Sequence, residues 1–285
     1  MGFLALLILL SSCDEMEVQN QSQMPEINEE LNANFLRLGF DPSDIEVVRT
    51  RDQDNPMQSS WNYLLEQDMV ITQEALEEML MAAAAEEAGR TDQYRTTNLV
   101  SSPRTIRIVG ITCYVVNGFE NLDSQMQQAL TMAVQNFNNL NMGLNFTLSF
   151  SCASLFNLSQ IAAANDIVVY KVGGPAGGKA GFPTGGDPYK WVEINSGTTA
   201  FGLDVLEHVT THEIGHCLGL RHSDWFNRSL SCNVGGSEGQ AGVGAIHIPG
   251  TPTGFDANSV MNACFDGTEN GEFSGNDIIA LETIY

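Results

Sequence analysis

His212-Glu213-Ile214-Gly215-His216-Cys217-Leu218-Gly219-Leu220-Arg221-His222 sets three imidazoles, a carboxylate and a turn-forming glycine within one short stretch of the chain. On an α-helix, residues four apart lie on one face about one turn apart, so His212 and His216 can present two imidazoles to a single ion. Glu213 lies one step round from His212, close enough to hydrogen-bond a water on that ion without ligating the ion, which suits a general base. Gly219, three residues past His216, can take the left-handed conformation that ends a helix. The chain can then turn back and deliver His222 as a third ligand, leaving a fourth position open, as in a catalytic rather than a structural zinc site. The competing reading is an amphipathic helix whose imidazoles satisfy core hydrogen bonds. Such a five-position match arises by chance in roughly one chain in 10^5 of this length and composition.

With its glycine and third histidine, the stretch resembles the signature of the metzincin metalloproteases. His-Glu-Ile-Gly-His followed by Cys217 and by His222-Ser223-Asp224-Trp225 is most similar to the bacterial dual-action HEIGH metallopeptidase family. The resemblance implies a methionine in a tight turn beneath the metal, and Ser259-Val260-Met261-Asn262-Ala263 makes Met261 its match. As a lone residue a methionine reads as plain core. Asn262-Ala263-Cys264 holds no tyrosine, so no tyrosine role carries over. The fold implied is α/β (α+β): a metzincin-like catalytic domain with a twisted mixed sheet, a zinc helix, a Met-turn and a C-terminal helix, preceded by a mainly helical pro-segment.

The N-terminus reads as an export signal. The run Phe3 to Leu10 is too short to span a bilayer as a helix. Leu10-Ser11-Ser12-Cys13 resembles the bacterial lipobox, which implies lipidation of Cys13, although no Lys or Arg precedes the apolar run. Acyl chains on Cys13 would make a stable membrane anchor. The expected location is the bacterial cell envelope or surface, with release by processing as a variant. The expected divisions are a signal peptide over 1–12, a tether over 13–30, a pro-segment and linker over 31–104, and the protease domain over 105–285. Gly89 to Pro103 is polar and carries Arg90 and Arg95, which reads as a linker and cleavage region.

With 35 acidic and 12 basic side chains the net charge is −23, which excludes nucleic-acid binding through a basic surface and limits membrane contact to the lipid anchor. Expected partners are protein or peptide substrates, and the chain is expected to be a monomer. Five cysteines remain beyond Cys13, an odd number in an exported protein. The expected pairs are Cys113 with Cys152 and Cys232 with Cys264. Cys217 is then a buried thiol on the zinc helix, or pairs with one of the others; as a fourth zinc ligand it would close the site.

Apolar residues recur at helical spacing in places from Leu31 to Val48 and from Trp61 to Ala88. Leu65-Glu66-Gln67-Asp68-Met69 resembles the Glu-Gly-Asp-Ile type of segment in the pro-regions of some metzincins, which implies that Asp68 occupies the zinc's open position and keeps the enzyme latent; the competing reading is a solvated acidic residue. Apart from Cys13 that region has no cysteine, which disfavours a cysteine-based latch.

Strands are expected over Thr105 to Val116, Leu144 to Phe150 and Ile167 to Val172, and a helix over Asp123 to Leu140 capped by Asp123 or Ser124. The glycine-rich run from Gly173 to Gly186 lacks the Gly-Lys-Ser/Thr ending of a phosphate loop and reads as a loop into an edge strand near Trp191 to Asn195, where a substrate backbone could add. Phe201 to Leu218 is the zinc helix. His208 is too far from a metal on His212 and His216 and reads as packing. Residues 223 to 258 are a long irregular stretch expected to line the primed-side pocket, with His247 structural or exposed. Ser274 to Tyr285 is similar to the closing helix of matrixin-type enzymes.

The resulting expectation is a zinc endopeptidase in which His212, His216 and His222 hold Zn2+ and Glu213 is the base. Asp224 would orient an imidazole, cap the turn, or ligate in place of His222. Asp187, Asp256, Asp266 and Glu269 could bind Ca2+, without the spacing of a calcium motif. The alternative is a non-catalytic envelope lipoprotein that uses a zinc-stabilised metzincin scaffold for binding.

Overall fold

The computed structural model describes residues 24–83, 94–113, 120–234 and 245–285, apart from positions 39, 41, 54, 66, 155 and 252–254. Cys13 and the segment before it lie outside the described residues.

The N-terminal part runs α1 (Glu29–Arg37), β1 (Glu46–Arg51), β2 (Ser59–Leu65), β3 (Met69–Ile71) and α2 (Gln73–Ala83). It is mixed rather than mainly helical. Phe35 and Leu31 form the buried stripe of α1, capped by the Asn28 side chain on Leu31 N. The following apolar residues are consumed by a three-stranded antiparallel ladder, in which Trp61 faces Arg49 and Tyr63 faces both Val47 and Ile71. Aromatic and β-branched residues favour such pairing over the helical spacing that they also fit.

The C-terminal part continues through β4 (Tyr94–Arg95), β5 (Arg104–Cys113), α3 (Ser124–Asn138), β6 (Leu144–Cys152), α4 (Leu158–Ala164), β7 (Ile167–Val172), β8 (Gly178–Gly181), β9 (Trp191–Asn195), α5 (Leu203–Cys217), α6 (Ser229–Cys232), β10 (Ile246–His247) and α7 (Gly275–Ile284). One sheet spans both parts in the order β1-β2-β3-β8-β9-β7-β5-β6. Strands β6, β5, β7 and β9 are mutually parallel, β8 is antiparallel to β9, and β3 joins β8 in parallel through Met69↔Ala180 and Val70↔Gly181. This is the expected mixed sheet, with one correction. The strand at the edge of the C-terminal part is β8, inside the glycine-rich run, whereas Trp191 to Asn195 lies one place further in.

Helix α3 buries Met126, Ala129, Leu130, Ala133, Val134 and Phe137 at helical spacing, and Asp123 caps it through Gln125 N and Met126 N. Helix α5 is buried along its whole length from Val205 to Cys217. A helix enclosed on every side must satisfy its polar groups internally, so the histidines, Glu207 and Glu213 on it are each held to a specific purpose or partner. A second apolar cluster belongs to the N-terminal part and takes in Phe182 of the C-terminal part. The described residues of the stretch 223 to 258 are largely irregular, apart from α6 and the β10 pairing with β4; residues 235–244 and 252–254 lie outside the described residues.

Candidate metal centre

Helix α5 sets His212 and His216 one turn apart, with ring centroids 4.6 Å apart and planes at 88°. His212 Nδ1–H donates to Val260 O at 2.8 Å, and His216 Nδ1–H donates to Leu220 O at 2.8 Å. Both bonds fix the tautomer and turn the Nε2 lone pair inward. The helix stops at Leu218. Gly219 takes φ +100°, a conformation that needs glycine, and its N–H donates to His216 O. The returning chain brings the fully buried His222 to ring distances of 5.2 Å from His212 and 5.0 Å from His216.

Asp68 enters from the turn between β2 and β3. Its Oδ2 lies 3.1 Å from His222 Nε2 and 3.8 Å from His212 Nε2. Donor atoms of Asp68, His212, His216 and His222 all lie within 4.8 Å of one another. Gln67, just before Asp68, has φ +70°, the left-handed conformation that a glycine takes more readily.

The residues fit a zinc ion. Burial lowers the pKa of His212 to about 4 and that of His216 well below its ordinary value, so both rings are neutral at pH 7, the form in which an imidazole can ligate a metal. His216 Nε2 and Asp68 Oδ1 are buried with no hydrogen-bond partner in the protein, a costly state that a cation would relieve. No other group of three His, Cys, Asp or Glu close enough to hold a metal occurs among the described residues. The four carboxylates considered for calcium are engaged elsewhere: Asp187 with Arg104, Asp256 with Ser274 and Asn276, and Asp266 and Glu269 with their own loop.

Glu213 faces the same cavity, about 570 Å³ in volume, which His212, Asp68, Gly178, Arg228 and Phe265 also line. Burial raises its pKa well above the ordinary carboxylate value, and the neighbouring Asp68 charge adds to the effect. The carboxyl lies directly under β8: a Cβ on Gly178 would stand 2.6 Å from Glu213 Oε1. Gly215 serves Met261 in the same way, since a Cβ there would meet the sulfur at 2.6 Å. The glycine inside the histidine motif is therefore the seat of the methionine. Met261 is fully buried and accepts from Ser223 N through its carbonyl at 2.7 Å.

Asp277 on α7 holds that turn, accepting from Ser259 Oγ at 2.6 Å and Val260 N at 2.8 Å. Burial pushes its carboxyl up to about 6 against these hydrogen bonds. Because Val260 O receives His212 Nδ1–H, a line of bonds runs from α7 to the first histidine. Nothing in the sequence distinguished Asp277 from a helix-capping residue. Gly178 and Arg228 were equally silent, one among many glycines and one basic residue in an irregular stretch.

Asp224 is buried, but it accepts from Ala263 N at 2.9 Å and Ser231 Oγ at 2.5 Å. It ties the loop after His222 to the turn of Met261 and stands outside the cluster of donor atoms. His208 stacks beside His212 at 6.4 Å and is held neutral by burial, with its pKa lowered to about 4. His247 bonds Thr251. Disulfides join Cys113 to Cys152 and Cys232 to Cys264, the second bridging α6 to the chain just past Met261, and Cys217 is a buried thiol.

A buried helix that brings two neutral imidazoles together and sets a carboxylate on an open cavity, completed by a third imidazole after a glycine turn, defines a zinc-dependent metallopeptidase site. The chain belongs to the dual-action HEIGH metallopeptidase family, whose model matches residues 63–285. No curated protein matches it. Among solved structures it is similar to one described as the structure of myroilysin, at 13% identity and TM-score 0.41 over 67% of this chain and 97% of the other. A second, described as the crystal structure of myroilysin, matches at 14% identity and TM-score 0.36 over 64% and 83%. As a metallopeptidase the protein acts on proteins or peptides, and its His-rich site can bind one zinc ion. No helix among the described residues is long and apolar enough to cross a membrane.

Proposed function

We propose that the chain is an exported zinc endopeptidase held latent by its own N-terminal segment. The observation that carries this reading is the convergence of three imidazole nitrogens with Asp68 within 4.8 Å of one another, next to a cavity that His212 and Glu213 both line. His212, His216 and His222 would hold the zinc, with Met261 packed beneath. Zinc bound there would supply Lewis acidity that polarises a scissile carbonyl and acidifies a water. Glu213 takes that water's proton on a carboxylate oxygen and returns it to the leaving amine. Burial and the neighbouring Asp68 charge raise its pKa above that of an ordinary carboxylate, which makes it the stronger base for taking up a proton. The edge of β8 offers backbone groups on which an extended substrate can add as a strand.

In the chain as it stands β3 takes that edge, and Asp68 fills the place beside the imidazoles where a substrate carbonyl would lie. Scission in the linker 89–103 and departure of β3 would open both together. An Asp68→Ala variant is expected to cleave peptides at least about 10-fold faster than the unprocessed parent; a variant no more active than that parent would remove the latch. The domain divisions at 30 and 104, lipidation of Cys13, an envelope or surface location and a monomeric state complete the reading. Disulfides between Cys113 and Cys152 and between Cys232 and Cys264 support an oxidising, exported setting.

Its test is casein cleavage by the chain from Asp14 onward after limited proteolysis in the linker. Activity should vanish on chelation and return with one equivalent of zinc. Zinc bound at one per chain with no cleavage of casein or of a broad peptide library would instead favour the envelope lipoprotein that uses the scaffold for binding.

A further inference from the structure

The turn that delivers the third imidazole is gripped by a piece of the linker. Strand β4 lies antiparallel to it, with Arg95 facing Leu220. Thr96 N–H donates to Gly219 O at 2.8 Å and Arg221 N–H donates to Tyr94 O at 2.9 Å, so one bond stands on each side of Leu220. Thr96 Oγ donates to Asn98 O at 2.7 Å and stands 3.4 Å from Gly219 O. Between the two backbone bonds lies the carbonyl of Leu220, which accepts from His216 Nδ1–H at 2.8 Å. His222 follows directly after Arg221. The grip is itself held in place: Tyr94 and Thr96 are buried, Tyr94 packs edge-on against Trp225 at 4.7 Å, and β4 also pairs with β10. A Cβ on Gly219 would stand 3.0 Å from Thr96 Oγ, from Asn98 O and from a Leu99 methyl, so the same segment closes over the turn.

We propose that Tyr94 and Thr96 are positioning residues of the metal site, and that the cut which frees the N-terminal segment falls ahead of Tyr94. The inference rests on the metallopeptidase reading above and narrows its linker scission. An imidazole ligates well when the group on its other nitrogen fixes its tautomer and direction, and loss of such a partner weakens metal binding by about 10–100-fold. For His216 that partner is a backbone carbonyl. Leu220 O and Arg221 N–H belong to one planar peptide unit and point opposite ways, so the bond from Arg221 N–H to Tyr94 O aims Leu220 O at His216. Thr96 fixes the preceding peptide unit through Gly219 O, which leaves the chain one course toward His222. The first long strand of the protease, β5, begins only at Arg104, yet a protease that kept only the residues past Thr96 would lack both bonds.

The test measures metal binding in the full chain, by chelator competition with Zn2+ and by the visible spectrum of Co2+ in the site. Thr96→Pro removes the N–H that holds Gly219 O, and its Zn2+ Kd should rise about 30-fold toward that of His222→Ala, with a changed Co2+ spectrum at saturating metal. Thr96→Val removes only the hydroxyl and covers the case in which the proline variant folds poorly. It should raise the Kd by about 10-fold, and Thr96→Ser should restore most of the affinity. Mass spectrometry of active protein nicked in the linker should find Tyr94 to Thr96 still in it. A Zn2+ Kd and Co2+ spectrum unchanged in every folded Thr96 variant, or active protein that lacks Tyr94 to Thr96, would overturn the assignment and leave the peptidase standing. A parent that binds no Zn2+ would overturn both.

Discussion

Gly178→Ala isolates the position of the proposed base. Gly178 has no left-handed φ, so alanine meets no backbone strain there, and the three heavy atoms nearest its added Cβ all belong to Glu213, at 2.6, 2.7 and 2.9 Å. Ordinary contact begins at 3.4 Å, so the carboxyl must retreat by 3.4 − 2.6 = 0.8 Å or β8 must lift by as much. A misplacement of about 1 Å at a reacting group can cost about 10^2-fold in rate, which sets the expected fall in kcat/KM. Overpacking of this kind costs about 1–3 kcal/mol of stability, offset by about 0.4–1 kcal/mol from the stiffer unfolded chain. Zinc content should not change, because the clash touches no imidazole. Gly275→Ala, with nothing within 4 Å of its Cβ, is the control. The assay is peptide cleavage with zinc per chain and a thermal melt on the same samples. Unchanged kcat/KM at unchanged zinc content would show that the rate does not depend on where the Glu213 carboxyl sits, and the assignment of the base would fall.

Two further outcomes follow from the same geometry. Burial holds His208 at a pKa of about 4 against 6.5 unfolded, so the unfolded chain takes up a proton that the folded chain refuses. Stability is then complete above pH 6.5 and is lost as pH falls toward 4, and His208→Phe should spare up to about 3 kcal/mol of that loss in urea melts of chelator-treated protein; parallel pH curves for parent and variant would refute it. Replacing Cys232 and Cys264 together by Ser opens a link of sequence separation 32. It should cost roughly 3–4 kcal/mol and loosen the wall that carries Arg228, read as a lower melting temperature with a raised KM, whereas an unchanged melt would mean that the bridge adds nothing to the fold.

The stretch from His212 to His222 was legible because its chemistry and its backbone demands coincide. Imidazoles four apart need a helix, and the return of His222 needs a residue that accepts φ +100°, which Gly219 supplies. The strands Ile167–Val172 and Trp191–Asn195 were legible for a similar reason, as short apolar runs between turn residues. The N-terminal part was not. Apolar residues from Trp61 onward fit helical spacing in places, but they enter a local antiparallel ladder whose last strand, β3, docks on β8, a partner more than a hundred residues away. Gly178 and Gly215 are glycines because of what lies opposite them, Glu213 and Met261, and no local pattern carries that information. Asp277 closes the capping box of α7 with Ser274, and its hold on Val260, and so on His212, exists only once α7 is packed.

The most direct test of the account compares the linker-nicked chain with its Glu213→Ala variant on casein and on a broad peptide library, with zinc measured in both. The account predicts one zinc per chain in each and cleavage by the parent alone. Equal cleavage by the variant at equal zinc content would contradict it.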